Sequence, residues 1–311
     1  MPCGGSFMQP HLDSMKILWL FIFCIAFSDN AFCQELEARA YANLPKNMNV
    51  VAAVYAFSKG HVLADASLPI EDFTMTTHNI VVAYVRSFDL AHRLARIQLS
   101  APLVHMAGQL KISGQDTSGT RTGLGDMRVR FGINLIGSPA LDRKDFGTYT
   151  QKTIVGVSLV TSIPTGLYYA DKRINISNHR WGFKPEIGAS KKFNHIYIDG
   201  YMGVWLYTNN TALLETKTLE QRPLFSTQLH TSYYFKKGMM IGLDGNWFKG
   251  GKTYIDTVQS GDQIDHTRLG ITWALPLTRK HLIRAQFHTS VHNNAGYEYS
   301  FVALGYQYVF F

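Results

Sequence analysis

Two stretches of this chain carry the residue types of a nucleophilic hydrolase. His230-Thr231-Ser232 and His288-Thr289-Ser290 each set a histidine and a serine two residues apart, which places both side chains on one face of a strand. A hydroxyl nucleophile also needs its base within hydrogen-bond reach and a third group that orients the base. The sequence supplies no adjacent signature for either. The 12 histidines are scattered, with no His-x-x-x-His on a helix, so no metal is expected. Gly123-Leu124-Gly125 is glycine-rich but leads into a strand instead of a helix N-terminus, so it is a turn and not a phosphate loop. What remains is charge: Arg96, Arg128, Arg130, Arg268 and Arg284 stand in otherwise apolar, alternating segments.

Those segments decide what the arginines do. The chain reads as about twelve stretches with a period of two: 49–58, 76–88, 94–109, 125–135, 152–163, 181–191, 196–207, 223–235, 239–247, 264–275, 281–291 and 297–311. Tight turns are expected at 89–93, 192–195, 236–238 and 276–280, and long loops at 59–73, 111–124, 164–180, 208–222 and 248–263. Two connections depart from that alternation: 136–151, with room for a small helix, and the short 292–296. Met127, Val129, Phe131, Ile133 and Leu135 alternate with Asp126, Arg128, Arg130, Gly132 and Asn134. Leu269, Ile271 and Trp273 oppose Arg268, Gly270 and Thr272, while Ile283, Ala285 and Phe287 oppose Arg284, Gln286 and His288.

The chain ends on Val302, Leu304, Tyr306, Tyr308 and Phe310 along one face, with Ala303, Gly305 and Gln307 on the other. A long exposed aromatic edge aggregates in a soluble domain. It is what a membrane barrel needs where its last strand closes on the first and meets lipid. Near the start, Lys16 precedes an apolar run from Ile17 to Phe27, then Ser28-Asp29-Asn30 and Ala31-Phe32-Cys33. This is the pattern of a cleaved secretory signal within 1–33, with Met15 as the expected initiator; bulky Phe32 argues against lipidation of Cys33. The three cysteines, Cys3, Cys24 and Cys33, all lie in that segment, so the mature chain is expected to hold no disulfide. No window is apolar for long enough to span as a helix.

The fold class expected is therefore all-β, a transmembrane antiparallel barrel over 49–311, with 34–48 as a periplasmic or plug segment. An arginine facing lipid at mid-bilayer costs about 2–4 kcal/mol, so the polar set faces inward. That reading gives a polar, partly charged interior instead of an apolar ligand cup. A lipid hydrolase in such a barrel works on its lipid-facing side, whereas both His–Ser pairs share the inward face, so lumenal lining is the preferred reading and no catalytic residue is assigned. The net charge of +8 is spread along the chain, which fits a basic lumen or anionic lipid and not nucleic acid.

Several motifs carry a family resemblance. Leu36-Glu37-Ala38-Arg39-Ala40-Tyr41-Ala42-Asn43-Leu44-Pro45 resembles the opening segment of the outer-membrane transporter family named for the meta-pathway of phenol degradation, with Ala38 where proline is expected. Leu68-Pro69-Ile70-Glu71-Asp72 is similar to that family's first outer loop, and Gly123 to Phe131, running into Asn134-Leu135 and Pro139-Ala140-Leu141, to its central signature. The fullest likeness is Ile174-Asn175-Ile176-Ser177-Asn178-His179-Arg180-Trp181-Gly182-Phe183-Lys184-Pro185-Glu186-Ile187-Gly188. The resemblance implies a bacterial outer-membrane barrel with a transport role.

The lumen-lining candidates are thus Arg96, Asp126, Arg128, Arg130, Asp244, Arg268, Arg284, Gln286 and His288. The arginines either favour anionic solutes or bind an inward-folded acidic plug, or else form a closed ladder with Asp126, Glu186, Asp199 and Asp244, and the ladder is favoured over selectivity. Asn175, Asn178, Arg180 and Trp181 are loop-anchor candidates, Arg180-Trp181 being either a stacked anchor or the site of a girdle tryptophan. The function expected is passive passage of small solutes, including aromatic or poorly soluble ones; the alternative is a plugged structural or surface-binding barrel. No cofactor is expected. The expected partners are outer-membrane lipid, the solute, and the barrel-assembly machinery, reached through Val302–Phe311 of a monomer.

Overall fold

The computed structural model describes residues 37–63, 70–112, 114–172, 174–261 and 263–311. The expected signal segment, its cysteines and Leu68-Pro69 lie outside the described residues. The wall is built from β1 (Asn49–Leu63), β2 (Ile70–Leu90), β3 (Arg93–Ile112), β4 (Gln115–Leu124), β5 (Met127–Ile136), β6 (Ile154–Ile163) and β7 (Gly182–Phe193). It continues with β8 (Ile196–Tyr207), β11 (Leu224–Tyr234), β12 (Met240–Gly250), β15 (Ile264–Pro276), β16 (His281–Asn293) and β17 (Gly296–Phe310). All neighbours are antiparallel, and β17 closes on β1 with Asn49 opposite Phe310 and Leu63 opposite Gly296. The sheet has 13 strands, of which β4 and β5 both pair with β3, β5 along Ala95–Ser100 and β4 along Leu103–Ile112. They form one broken strand, so the closed wall counts 12.

The alternation read from the sequence sorts the faces. On β17, Val302, Leu304 and Tyr306 are 44–57% exposed toward lipid, while Phe301 and Ala303 are buried inward. On β15, Leu269 and Ile271 are about half exposed and Arg268 and Thr272 are buried. The tight turns fall where expected, with Ala91 and His92 both at positive φ between β2 and β3 and Asn194 between β7 and β8. Paired positive φ values let a two-residue loop follow the strand twist.

Three expectations need correction. Residues 111–124 do not form a loop, since β4 returns along β3 through a hairpin at Gly114, whose φ is +79°. Its polar sequence has no apolar alternation because it is exposed on both faces. With β2 and β3 it makes an arm that stands beyond the opposite wall. The outer loops 208–222 and 248–263 are also structured, as β9 (Asn210–Leu213), β10 (Lys217–Gln221), β13 (Thr253–Ile255) and β14 (Val258–Gly261) in a separate four-stranded sheet.

The third concerns the interior. β1 turns Val50, Ala52, Val54 and Ala56 inward, and β2 turns Val81, Ala83 and Val85 inward beside them. This sector of wall is apolar on both faces, so its sequence shows no alternation to read. The charge lies on the rest of the wall, densest on β3 and β5 to β8, with Asp244, Arg268 and Arg284 on β12, β15 and β16. The connection 137–153 holds the expected small helix, α1 (Arg143–Phe146).

Closure with one lipid-facing and one interior face predicts a large asymmetry between adjacent residues. Leu269→Arg, near the middle of β15 on the lipid side, is expected to destabilise the barrel by about 2–4 kcal/mol. Urea titration in lipid vesicles, followed by heat-modifiable gel migration, measures it. A cost near zero would contradict the lipid-facing assignment.

Candidate functional site

The barrel interior is shared between a cavity and the segment 37–48. That segment leaves the wall at Asn49 and runs back inside it, against β3 and β5 to β8. Tyr41 is the deepest point, 2% exposed. Its ring occupies the room left by two inward glycines: a Cβ on Gly156 would lie 2.6 Å from Tyr41, and one on Gly188 2.2 Å. Its ring also packs against Tyr201, with centroids 5.1 Å apart. The phenol hydrogen-bonds Ser158 Oγ at 3.0 Å and reaches Glu186 Oε1 at 3.1 Å. A buried hydroxyl left without such partners would cost about 1–3 kcal/mol.

Charge pairs hold the rest of the segment. Arg39 reaches Asp199 Oδ1 at 3.0 Å, Ser190 Oγ at 2.9 Å and Gln151 Oε1 at 3.0 Å, and its guanidinium lies 4.0 Å from the Tyr197 ring centroid. Glu37 accepts from Arg130 at 2.6 Å. Arg96 donates to the Ala40 and Ala42 carbonyls, and the Tyr201 hydroxyl accepts from the Ala40 N–H at 3.0 Å. At the lower rim, Asn134 donates to Ser138 Oγ, and Ser138 donates in turn to Asn43.

The expected ladder is seen at Arg130 and Glu186. Arg130 pairs with Glu186 at 2.5 Å, and Lys184 reaches the other oxygen of Glu186 at 2.9 Å. Asp199 pairs with Arg39 of the inner segment and not with a wall arginine. Asp244 is held by His230 Nδ1 at 2.6 Å and by the Thr272 hydroxyl at 2.6 Å. Arg268 donates to the Tyr299 hydroxyl and lies 5.3 Å from the Phe248 ring centroid. Arg128 sits 5.8 Å from the Trp205 ring centroid. Arg284, Gln286 and His288 line the cavity. The Nε of Arg284 is buried without a hydrogen bond and its guanidinium makes no ion pair with a described residue.

Asp126 departs most from its expected place. It opens the outer loop instead of facing the arginines. Its Oδ1 accepts from Gly166 N–H at 3.1 Å and Ser177 Oγ at 2.6 Å, and its Oδ2 accepts from Asn178 N–H at 3.0 Å. The Gly125 N–H bonds Pro102, where the broken strand bends, and that bend carries the carboxylate outward. Asn175 ties the same loop by accepting from Tyr169 N–H at 2.8 Å and donating to the Tyr169 and Lys172 carbonyls. The Asn178 carbonyl accepts from Asn210 at 3.3 Å. Arg180 is buried, bonds Gln221 and lies 4.5 Å from the Tyr207 ring centroid, whereas Trp181 is 42% exposed and stacks beside Phe183.

The hydrolase pairs are not assembled. His230 turns its Nε2 to Gln228, and the Ser232 hydroxyl has no hydrogen-bond partner among the described residues. Ser290 bonds His266 Nε2 at 2.8 Å instead of His288. Among the described residues, no three His, Cys, Asp or Glu side chains gather as a metal site would require.

The cavity occupies about 360 Å³ between the inner segment and the β1, β2, β16 and β17 wall. Val54, Ala83 and Ala303 line it from β1, β2 and β17, and Arg96, Arg128 and Arg284 from β3, β5 and β16. The assignment by sequence missed Arg39, Tyr41, Lys184 and this apolar sector. Gly156 and Gly188 were the available signal for Tyr41, since an interior strand glycine often marks a close approach.

Arg130 is a wall arginine that bridges two carboxylates, buried Glu186 and Glu37 of the inner segment. Arg130→Gln is expected to cost about 1.5–3 kcal/mol, because Glu186, still met by Lys184, loses one of its two charged partners in a nearly dry site. Arg284→Gln removes no pair and is expected to be close to neutral. Unfolding titrations of the two variants in vesicles compare them directly; equal losses would contradict the pairing.

Comparisons with known proteins agree with this architecture. An outer membrane channel from Pseudomonas putida F1 is 19% identical, covers 89% of this chain and 100% of its own, and superposes with a TM-score of 0.75. The transport unit of the autotransporter AIDA-I from Escherichia coli is 9% identical over 93% of this chain and 97% of its own, with a TM-score of 0.52. The beta domain of the Bordetella autotransporter BrkA is 12% identical over 85% and 100%, with a TM-score of 0.50. Comparison with curated protein sequences finds no match. The family model described as "Putative MetA-pathway of phenol degradation" matches residues 55–304, which is most of the wall, and the chain belongs to that family.

Proposed function

We propose that the protein is an outer-membrane channel through which small solutes pass by diffusion. The cavity beside the inner segment carries this reading: the bore is narrowed but retains a space of about 360 Å³. Its lining combines the apolar β1–β2 sector with basic side chains, which suits solutes with an aromatic or otherwise poorly soluble body, in keeping with the family's description. Residues 34–48 are read as a plug over the periplasmic half, and the export signal is read as lying within 1–33. Assembly through the β17 strand, residence as a monomer in lipid, and the absence of a catalytic role belong to the same reading. The unassembled His–Ser pairs support the last point.

The network around Tyr41 and Arg39 favours a second reading, a scaffold whose bore stays shut. Conductance separates the two. In planar bilayers the wild-type chain is expected to conduct weakly, and Tyr41→Ala combined with Arg39→Ala to conduct more through a loosened plug. Absence of current from the wild-type chain, together with absence of solute flux into liposomes, would leave the scaffold.

Within an open path, the unpaired Arg284 should set ion preference, because a fixed charge in a narrow lumen acts on every passing ion. Arg284→Gln is expected to move the reversal potential toward cations with the barrel intact. An unchanged potential in the folded variant would exclude that role.

A further inference from the structure

A second hollow lies outside the lumen, on the inner face of the β2–β3–β4 arm. Gly108 and Gly119 stand opposite one another across β3 and β4, so two adjacent side chains are missing from one spot on that face. Met106 and Leu110 flank Gly108 on the same side, and Met75 is opposite Gly108 on β2. The Phe73 ring fills part of the room, lying 3.3 Å from where a Cβ on Gly108 would sit; around Gly119 nothing lies within 4 Å. Ile174 closes the far side. The remaining space is about 300 Å³, roughly twice the ~150 Å³ of an apolar cavity that admits benzene.

The lining selects by chemistry. Among the described residues Arg121 is the one ionisable side chain on it, and its Nε is committed to the Ile174 carbonyl at 2.7 Å, with its guanidinium 5.3 Å from the Tyr169 ring centroid. Thr117, Ser118 and Thr120 border the hollow without charge, and Gln109 alternates to the other face. An extramembrane arm has no need of an apolar face toward the bore, and water there gains few hydrogen bonds. We infer that this hollow is a binding site for a small uncharged apolar molecule, about one or two rings in size, at the outer mouth. Its part in uptake rests on the channel reading above; the binding itself does not. The thioethers of Met75 and Met106 suit such a ligand, being polarizable and favourable against ring edges.

Gly119 offers a clean test, since a side chain there meets no neighbour. The full chain in phosphatidylcholine nanodiscs is titrated with fluorobenzene and followed by ¹⁹F saturation transfer. Gly119→Phe, which places a ring in the hollow, is expected to weaken protein-dependent transfer at least about tenfold, while Gly119→Ser retains it. Unlabelled benzene should compete and benzoate should not. Equal transfer in wild type and Gly119→Phe, or equal competition by benzoate, would overturn the proposal. Should Gly119→Phe fail to fold, bromobenzene-soaked crystals of the wild type decide it: an anomalous bromine peak between Met75, Met106 and Ile174 supports the site, and none overturns it. Salt conductance of the same preparations is measured in parallel. Binding without conductance would sink the channel and keep the site; conductance without binding would do the reverse.

Discussion

Backbone hydrogen bonding in a hydrocarbon layer is the constraint from which the rest of this structure follows. An unpaired N–H or C=O in lipid costs several kcal/mol, so no strand within the membrane can remain an edge. The register of β17 on β1, from Asn49–Phe310 to Leu63–Gly296, meets that demand. Closure then divides every strand into a lipid face and an interior face, and the Leu269/Arg268 contrast is its direct consequence. Where the chain rises beyond the opposite wall the demand lapses. β4 pairs with β3 alone over Gln115–Leu124 and carries a polar sequence on both faces.

A cylinder of twelve strands encloses more room than its own side chains occupy, and the chain fills part of it with itself. Segment 37–48 enters one half of the bore because Gly156 and Gly188 leave a slot for the Tyr41 ring. Arg39, Glu37 and Arg96 then complete pairs that neither the wall nor the segment could satisfy alone. Charges out of water are costly unless partnered, so the polar sector and the segment depend on one another. The apolar sector of β1 and β2 needs no such partner, and the cavity lies against it.

At the outer end the loop between β6 and β7 is ordered by one carboxylate. Asp126 gathers Gly166, Ser177 and Asn178 and so fixes the segment that leads into β7. Asn175 shapes the turn within that segment, and Arg180 anchors its end against Tyr207 and Gln221. This explains why the Gly-Leu-Gly-Asp stretch and the Asn-Ile-Ser-Asn-His-Arg stretch, far apart in sequence, both read as signatures: they are two halves of one contact.

The sequence alone determined the class, the faces of β5, β15, β16 and β17, and the closing role of the C-terminal strand. Alternation with period two is a local property, and an arginine's cost in lipid fixes which face is inward. It could not sort β1 and β2, whose Val50 to Val54 and Ile80 to Ala83 runs are apolar on both sides. It could not recognise β4, which lies outside the layer that imposes alternation. Partnership was decided only by the tertiary structure. Glu186 meets Arg130 across two strand spacings, Asp199 meets Arg39 from a segment 160 residues away, and Asp126 turns outward because the strand breaks at Gly125. Such pairs depend on barrel curvature and on what occupies the bore, and neither is written in the spacing of residues along one strand.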